Sequence, residues 1–251
     1  MGNSDSGKGR FAPEDRALDT IFECTLLGDG FHKIKNALGG IGGFATLLER
    51  EISVDDPGHR LVGRIQDGVA KVNDIVITLM TLVKNPQPRL RTFNLIDVIK
   101  ESLDSVWESG KAMDRDIRIE NTDGSVRSEW VTDPNIFRNV VVHAMRFIDQ
   151  CGGHLDRVAL SGPSGRTLRL ALTYTNGTKQ HPREENIQEW IRSLEPIEAR
   201  LSMAIVWKWV NLLGGSVVFE SHSKQEKCIT IELGKGNFEN GPRLEKDTRP
   251  R

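Results

Sequence analysis

The sequence has little tyrosine, little cysteine and almost no net charge. Its 251 residues include one tyrosine and three cysteines, and 34 lysines and arginines nearly balance 35 aspartates and glutamates. Without an excess of one charge, there is no electrostatic reason to expect nucleic acid or an anionic membrane as a partner. Cys24, Cys151 and Cys228 fit neither a zinc pattern nor a disulfide framework, so we expect a reducing cytoplasmic setting and no metal site.

The chain also lacks long apolar runs. No stretch approaches the roughly 18 consecutive apolar residues of a transmembrane helix, and no signal-peptide core is visible. We therefore expect no membrane partner. The 37% of hydrophobic residues is enough for the cores of one or two compact domains. The polar ends, residues 1–14 and 237–251, are expected to be flexible.

Two amphipathic helices separated by the break SVDDPGH are predicted within residues 15–86. Asp55 or Asp56 can cap the second helix, with Pro57 in its first turn. Apolar residues recur at spacings of three and four in both helices. The two series are Phe31, Ile34, Leu38, Ile41, Ala45, Leu48 and Ile52, then Leu61, Ile65, Gly68, Val72, Ile75, Leu79 and Leu82. Two helices cannot bury both series on each other, so we expect a homodimeric four-helix bundle. The alternative is that the hairpin packs on the rest of its own chain.

Residues 87–236 mix helical and strand patterns, after prolines in KNPQPRLR that end the hairpin. Helices are predicted at NLIDVIKESLDSVW, DPNIFRNVVVHAMRFIDQCG and EPIEARLSMAIVWKWVNLLGG. Strands are predicted at DIRIEN, in two runs flanking SGPSG, at SVVFES and at KCITIEL. This mixture predicts an α/β sandwich with helices on one sheet face, and an α+β class for the whole chain.

A lone histidine, His32, is followed by four glycines within the helical pattern FHKIKNALGGIGGFATLLE. Each glycine inside a helix costs about 1 kcal/mol relative to alanine. At 3.6 residues per turn, Asn36, Gly39 and Gly43 share one stripe with His32, and this stripe carries little bulk. We interpret Gly39 and Gly43 as a docking surface beside a nucleophilic imidazole. The alternative is that these glycines allow close helix packing. Packing also explains Gly40 and Gly42, which point to either side of the stripe.

In these motifs and their order the chain resembles the catalytic core of bacterial sensor histidine kinases. The stretch FHKIKNALGGIGGFATLL is similar to the family's phospho-acceptor box, and DPNIFRNVVVHAMRFI lies where the asparagine-bearing helix belongs. The stretch RLSMAIVWKWVNLLGGSVVFES resembles the glycine-box helix and its following strand. The resemblance implies a dimeric bundle with His32 as phospho-acceptor, an ATPase-type domain and response-regulator receivers as partners. Within this family, the chain is most similar to the two-domain histidine phosphotransferases.

Four positions depart from the family's nucleotide-binding pattern. Phe147 stands where an asparagine helps hold magnesium and phosphates. Thr175 stands where the Asp-x-Gly aspartate reads the adenine, although Gly177 remains. Arg200 and Ser202 occupy glycine-box positions beside the triphosphate. The resemblance with these departures implies a degenerate domain that keeps the fold without binding ATP or magnesium.

The residues after the histidine depart as well. The family's acidic general base is replaced by Lys33, which argues against autophosphorylation. Lys33 and Lys35 could offset the charge of a transferring phosphoryl group, and Asn36 stands where phosphatase-competent members orient water.

The resemblance and its departures together predict a cytoplasmic, homodimeric histidine phosphotransferase of a two-component phosphorelay. His32 would accept a phosphoryl group from one receiver and donate it to another. Two alternatives remain open: a non-catalytic pseudokinase scaffold that binds a receiver or a kinase, and a divergent but active sensor histidine kinase.

Overall fold

The computed structural model describes residues 13–107, 117–122, 129–162, 167–176, 187–223 and 226–234, with side chains from residue 27 onward. The chain separates into two compact units, Met1–Asn85 and Pro86–Arg251. The predicted flexible ends lie outside the described residues, except for Pro13 and Glu14, which begin the first helix.

The first unit contains the predicted hairpin of two helices, α1 (Pro13–Glu51) and α2 (Pro57–Val83). Asp56 is the cap of α2: its carboxylate accepts a hydrogen bond of 2.6 Å from the backbone N–H of Gly58, and Pro57 follows in the first turn. The two helices are also joined by the Gln66 amide, which donates to the Glu49 carboxylate over 2.9 Å.

Each helix of the hairpin has two apolar faces, and only one is buried. Ala45, Val62 and Val76 are buried, and a Cβ added at Gly42 would meet the Val69 side chain at 3.5 Å. A second set of apolar side chains is 44–75% exposed: Ile34, Ile41, Phe44, Leu47, Leu48, Leu61, Ile65 and Val72. The predicted apolar series of α2 therefore belongs largely to the exposed face, since Val62, Val69 and Val76 lie outside that series.

The second unit is built on a five-stranded sheet of order β2-β4-β5-β7-β6, in which β2 and β4 are parallel and the other pairs are antiparallel. Its elements, in chain order, are β1 (Arg91–Asn94), α3 (Leu95–Trp107), β2 (Arg118–Asn121), β3 (Glu129–Thr132), α4 (Pro134–Gln150), β4 (Gly153–Ser161), β5 (Thr167–Asn176), α5 (Ile187–Ser193), α6 (Ile197–Leu212), β6 (Ser216–Ser221) and β7 (Glu226–Gly234).

The helices cover one face of this sheet. Leu168, Leu170, Leu172 and Tyr174 alternate along β5 and are fully buried, which marks the face under α4 and α6. Helix α4 packs against α3, α6 and β4, and α6 packs against β6. The predicted α/β sandwich and the predicted α+β class are confirmed.

Three elements were not predicted from the sequence. Two are the strands β1 and β3, which form a short sheet whose antiparallel register pairs Phe93 with Trp130. The Phe93 ring lies 5.6 Å from the ring of Phe137, measured between centroids, so this ribbon packs against α4. The third is α5, a helix of seven residues that is too short for a periodic pattern to identify.

Asp133 links the start of α4 to the segment that follows the α1–α2 hairpin by hydrogen bonds to both. Its carboxylate accepts hydrogen bonds from the backbone N–H groups of Asn135 (2.9 Å) and Ile136 (3.0 Å) as a helix cap. Its second oxygen accepts from the backbone N–H of Arg89 over 2.7 Å. The predicted cap at Asp133 is therefore present, with a tertiary role that the sequence did not indicate.

Candidate functional site

His32 lies on the exposed surface of α1, together with its predicted partners. His32, Lys33, Lys35 and Asn36 are all exposed. A Cβ added at Gly39 or at Gly43 would meet no atom within 4 Å beyond the helix's own backbone. The helical stripe that begins at His32 is therefore free of bulky neighbours across the described part of the chain, as the sequence indicated.

Exposed apolar side chains border this stripe at its far end. Gly40, Gly43, Phe44 and Leu47 line a shallow depression together with Thr46 and Arg50. Phe44 is 75% exposed and Leu47 is 56% exposed, so both can contact a partner. Sequence reasoning missed these two, because they stand outside the apolar series that marked the helix face.

Phe147 of α4, one of the positions that the resemblance assigns to the nucleotide, lies in an aromatic cluster with Trp190 of α5 and Phe219 of β6. The Phe147 ring lies 5.9 Å from Trp190 and 6.4 Å from Phe219 between centroids, both in edge-to-face geometry. Trp190 and Phe219 are 4.6 Å apart. Phe147 has no exposed surface, because it is part of the core.

Ser202 and Arg200 of α6 are bonded to other parts of the second unit. Ser202 is 1% exposed, and its hydroxyl donates to the side-chain oxygen of Gln150 at the end of α4 over 2.9 Å. The Arg200 guanidinium donates twice to the backbone carbonyl of Leu194, at 3.1 and 3.0 Å, and pairs with the Glu195 carboxylate at 2.8 Å. The Ser202 and Arg200 side chains are therefore already hydrogen-bonded to other groups of the second unit.

Thr175 is a half-buried residue near the end of β5, paired with His154 on one side and Glu226 on the other. Gly177 lies outside the described residues. A magnesium-bound triphosphate needs oxygen ligands and close backbone approach. Phe147 offers an apolar ring instead, while Arg200 and Ser202 already have partners. These residues do not fit the nucleotide role that the resemblance gives their positions.

His143 is a buried histidine on the same helix as Phe147. It is 4% exposed, and its Nδ1 has no hydrogen-bond partner among the described residues. Burial, followed by the charge of Arg146, lowers the pKa of His143 from 6.5 to about 4. His143 is therefore a neutral core residue at neutral pH.

The chain is similar in sequence to two curated relatives, and no family model matches it. Over 204 residues the chain is 26% identical to the sensor histidine kinase ZraS of Salmonella typhimurium, covering 80% of this chain and 43% of ZraS. Over 212 residues it is 21% identical to sporulation kinase D of Bacillus subtilis, covering 83% of this chain and 41% of that kinase. The chain thus spans less than half the length of these relatives.

Solved histidine kinases share the fold. Full-length ShkA in complex with AMPPNP superimposes with a TM-score of 0.62 at 16% identity, covering 84% of this chain and 46% of ShkA. Histidine kinase ThkA in complex with response regulator TrrA gives a TM-score of 0.57 at 16% identity, covering 89% of this chain and 64% of ThkA.

The hairpin followed by the α/β sandwich is the fold of a histidine kinase core. The two relatives are a sensor histidine kinase and a sporulation kinase, which agrees with the resemblance to sensor histidine kinases. Across the described ranges, none of the helices is both long and apolar enough to cross a membrane.

Burial of neutral His143 makes stability depend on pH. Because the folded-state pKa lies below the unfolded value of 6.5, its stabilisation is complete above pH 6.5 and is lost as pH falls towards 4. The loss attributable to this residue is at most about 3 kcal/mol. Urea unfolding at several pH values should show a shallower decline for His143→Leu than for the wild type.

The exposed His154 is the matched control for this series. His154→Asn should retain the wild-type pH dependence. An unchanged decline in His143→Leu would show that other groups set the acid sensitivity.

Proposed function

We propose that this chain is a histidine phosphotransferase of a two-component phosphorelay. His32 accepts a phosphoryl group from the aspartate of one receiver domain and donates it to the aspartate of another. The observation that carries the proposal is a contrast between the units. The His32 stripe is bare and exposed, whereas Phe147, at a position expected for nucleotide binding, is buried in an aromatic cluster.

The transfer needs few groups beyond the imidazole. The unprotonated ring nitrogen of His32 attacks phosphorus, the N–P bond forms, and the P–O bond to the aspartate breaks, which returns a carboxylate. The proton left on the phosphorylated ring passes to solvent, and the reverse steps load the second receiver. Lys33 and Lys35 are exposed beside His32 and can offset charge on the transferring group.

Receiver domains are the partners proposed for the stripe of His32, Asn36, Gly39 and Gly43. The solved complex of ThkA with its response regulator supports this class of partner, because ThkA shares the fold over 89% of this chain. Glycines let a receiver loop approach the helix backbone closely, and the exposed Phe44 and Leu47 add apolar contact area.

The proposal includes neither ATP nor magnesium as a cofactor. Phe147 has no exposed surface and packs on Trp190, and Ser202 is bonded to Gln150, which together support the loss of nucleotide binding. The proposed setting is the cytoplasm, where a reducing environment keeps the three cysteines as thiols.

The active form is proposed to be a homodimer whose two hairpins form a four-helix bundle. Ile34, Ile41 and Leu48 recur every seven residues on α1 and are 44–49% exposed, and Leu61, Ile65 and Val72 form a similar set on α2. Apolar faces of this extent are normally buried in a bundle, and a second hairpin would cover both sets at once.

Phosphoryl transfer is tested with radiolabelled donors. The wild-type protein should take acid-labile label from a panel of phosphorylated receivers but none from ATP, and His32→Ala should take none. His59→Gln, which changes a histidine at the other end of the hairpin, should behave as the wild type.

Label from ATP alone would contradict the proposal and indicate a divergent kinase. Receiver binding that persists in His32→Ala, without transfer in the wild type, would indicate a non-catalytic scaffold.

Bulk on the glycine stripe should block docking without harming the fold. Gly43→Leu improves helix propensity by about 1 kcal/mol, so thermal stability should be equal or higher. Receiver affinity, measured by titration calorimetry, should fall by more than about 10-fold, equivalent to about 1.4 kcal/mol. Gly63→Leu is the control, since Gly63 also has no neighbour within 4 Å but lies on α2. A drop in stability with unchanged receiver affinity would favour the packing interpretation instead.

Charge on the exposed apolar face should dissociate the dimer. Each buried isoleucine or leucine contributes about 1.5–3 kcal/mol, so Ile41→Glu with Leu48→Glu should weaken dimerisation by more than about 100-fold. Sedimentation equilibrium measures the effect, with Lys71→Glu on the exposed surface of α2 as the control. A monomeric wild-type protein would contradict the proposal.

A further inference from the structure

The hairpin of β6 and β7 brings together three side chains that can bind a metal ion. Glu220 of β6 and Cys228 of β7 are direct cross-strand partners. His222 lies two residues beyond Glu220, and its backbone N–H donates to the Glu226 carbonyl over 3.0 Å, which keeps it beside β7. The carboxylate, imidazole and thiol donor atoms all lie within 4.8 Å of one another.

These three residues lie on the sheet face opposite the helices. Phe219 and Ile229, which alternate with Glu220 and Cys228, are turned towards the helices, where Phe219 joins the aromatic cluster. Cys228 is buried, whereas Glu220 and His222 are exposed. One donor is therefore held rigidly in the sheet, and the other two can adjust their rotamers.

We propose that Glu220, His222 and Cys228 form a zinc-type site between β6 and β7. A thiolate, an imidazole and a carboxylate are the donors that Zn²⁺ accepts, and three protein ligands leave the fourth tetrahedral position for water. Binding exchanges the thiol proton of Cys228 for the metal and releases that proton to solvent.

The distances suit a tetrahedral ion after small movements. Metal–ligand bonds of about 2.0–2.3 Å place tetrahedral ligand atoms roughly 3.5 Å apart, which is closer than the present limit of 4.8 Å. Rotation of the exposed Glu220 and His222 side chains can close this difference. The Thr230 hydroxyl lies 3.6 Å from the Cys228 sulfur, where it can donate to a metal-bound thiolate.

The expectation of no metal site rested on the spacing of the cysteines and histidines along the chain. Cysteine spacing carries no information about a site that uses one cysteine, and strand pairing alone places Glu220 and His222 beside Cys228. The consequence of binding is local: the ion joins the edge strand β6 to β7 and so stiffens the strand that carries Phe219.

The test uses the full-length chain after removal of metal with a chelator. Titration with Zn²⁺ should show one site per chain, and Co²⁺ should produce thiolate-to-metal charge transfer together with the absorption of a tetrahedral ion. Zn²⁺ should also raise the melting temperature, because it binds the site only when β6 and β7 are folded and paired.

His222→Asn is the main variant, because an exposed side chain can be replaced without loss of the fold. It should weaken Zn²⁺ affinity by at least about 100-fold, since even outer-shell partners of metals contribute 10–100-fold. Glu220→Gln should weaken affinity, and Cys228→Ser should abolish the charge-transfer absorption. Cys151→Ser and His154→Asn, which change residues outside the site, should bind as the wild type.

Wild-type affinity in His222→Asn, or charge transfer that survives Cys228→Ser and disappears in Cys151→Ser, would overturn the proposal. Absence of a Zn²⁺ site in the wild-type protein would overturn it directly.

Discussion

Burial of α4 between the sheet and its neighbouring helices is the interaction on which the second unit depends. Asp133 begins the helix and ties it to Arg89, while an apolar face fills the space above β4 and β5. The residues of this face are at most 1% exposed: Ile136, Phe137, Val140, Val141, Ala144, Met145, Phe147 and Ile148. Burial of these side chains stabilises the second unit, because apolar burial contributes about 25 cal/mol per Å².

Phe147 extends that core to one of the positions that the resemblance assigns to the nucleotide. An amide buried there would need hydrogen-bond partners or solvent, whereas a phenyl ring needs only other side chains to contact. Trp190 and Phe219 supply these contacts, and Ser202 finds a partner in Gln150. At this position the second unit has packing contacts where the resemblance implies a polar side chain, and these contacts support the proposed loss of nucleotide binding.

The hairpin of α1 and α2, in contrast, keeps features that are unfavourable for its own stability. Its glycines leave the stripe beside His32 bare, at about 1 kcal/mol of helix propensity for each one. Its second apolar face is also exposed among the described residues. Both features are unfavourable for an isolated hairpin in water. The proposed partners, a receiver domain and a second hairpin, would account for both surfaces.

The sequence by itself determined the long helices and most strands, because their periods, caps and glycines are local properties. Asp56 and Asp133 cap helices as predicted, and His32 with Gly39 and Gly43 shares one stripe because helical geometry fixes it. Only the tertiary structure decided which face of α2 is covered, because the buried face and the exposed face both carry apolar residues. It also decided the contact of Phe147 with Trp190, which are distant in the chain, so that no local sequence signal marks it. The approach of His222 to Cys228 is local in the chain, but it depends on the register of β6 with β7, which the sequence does not show.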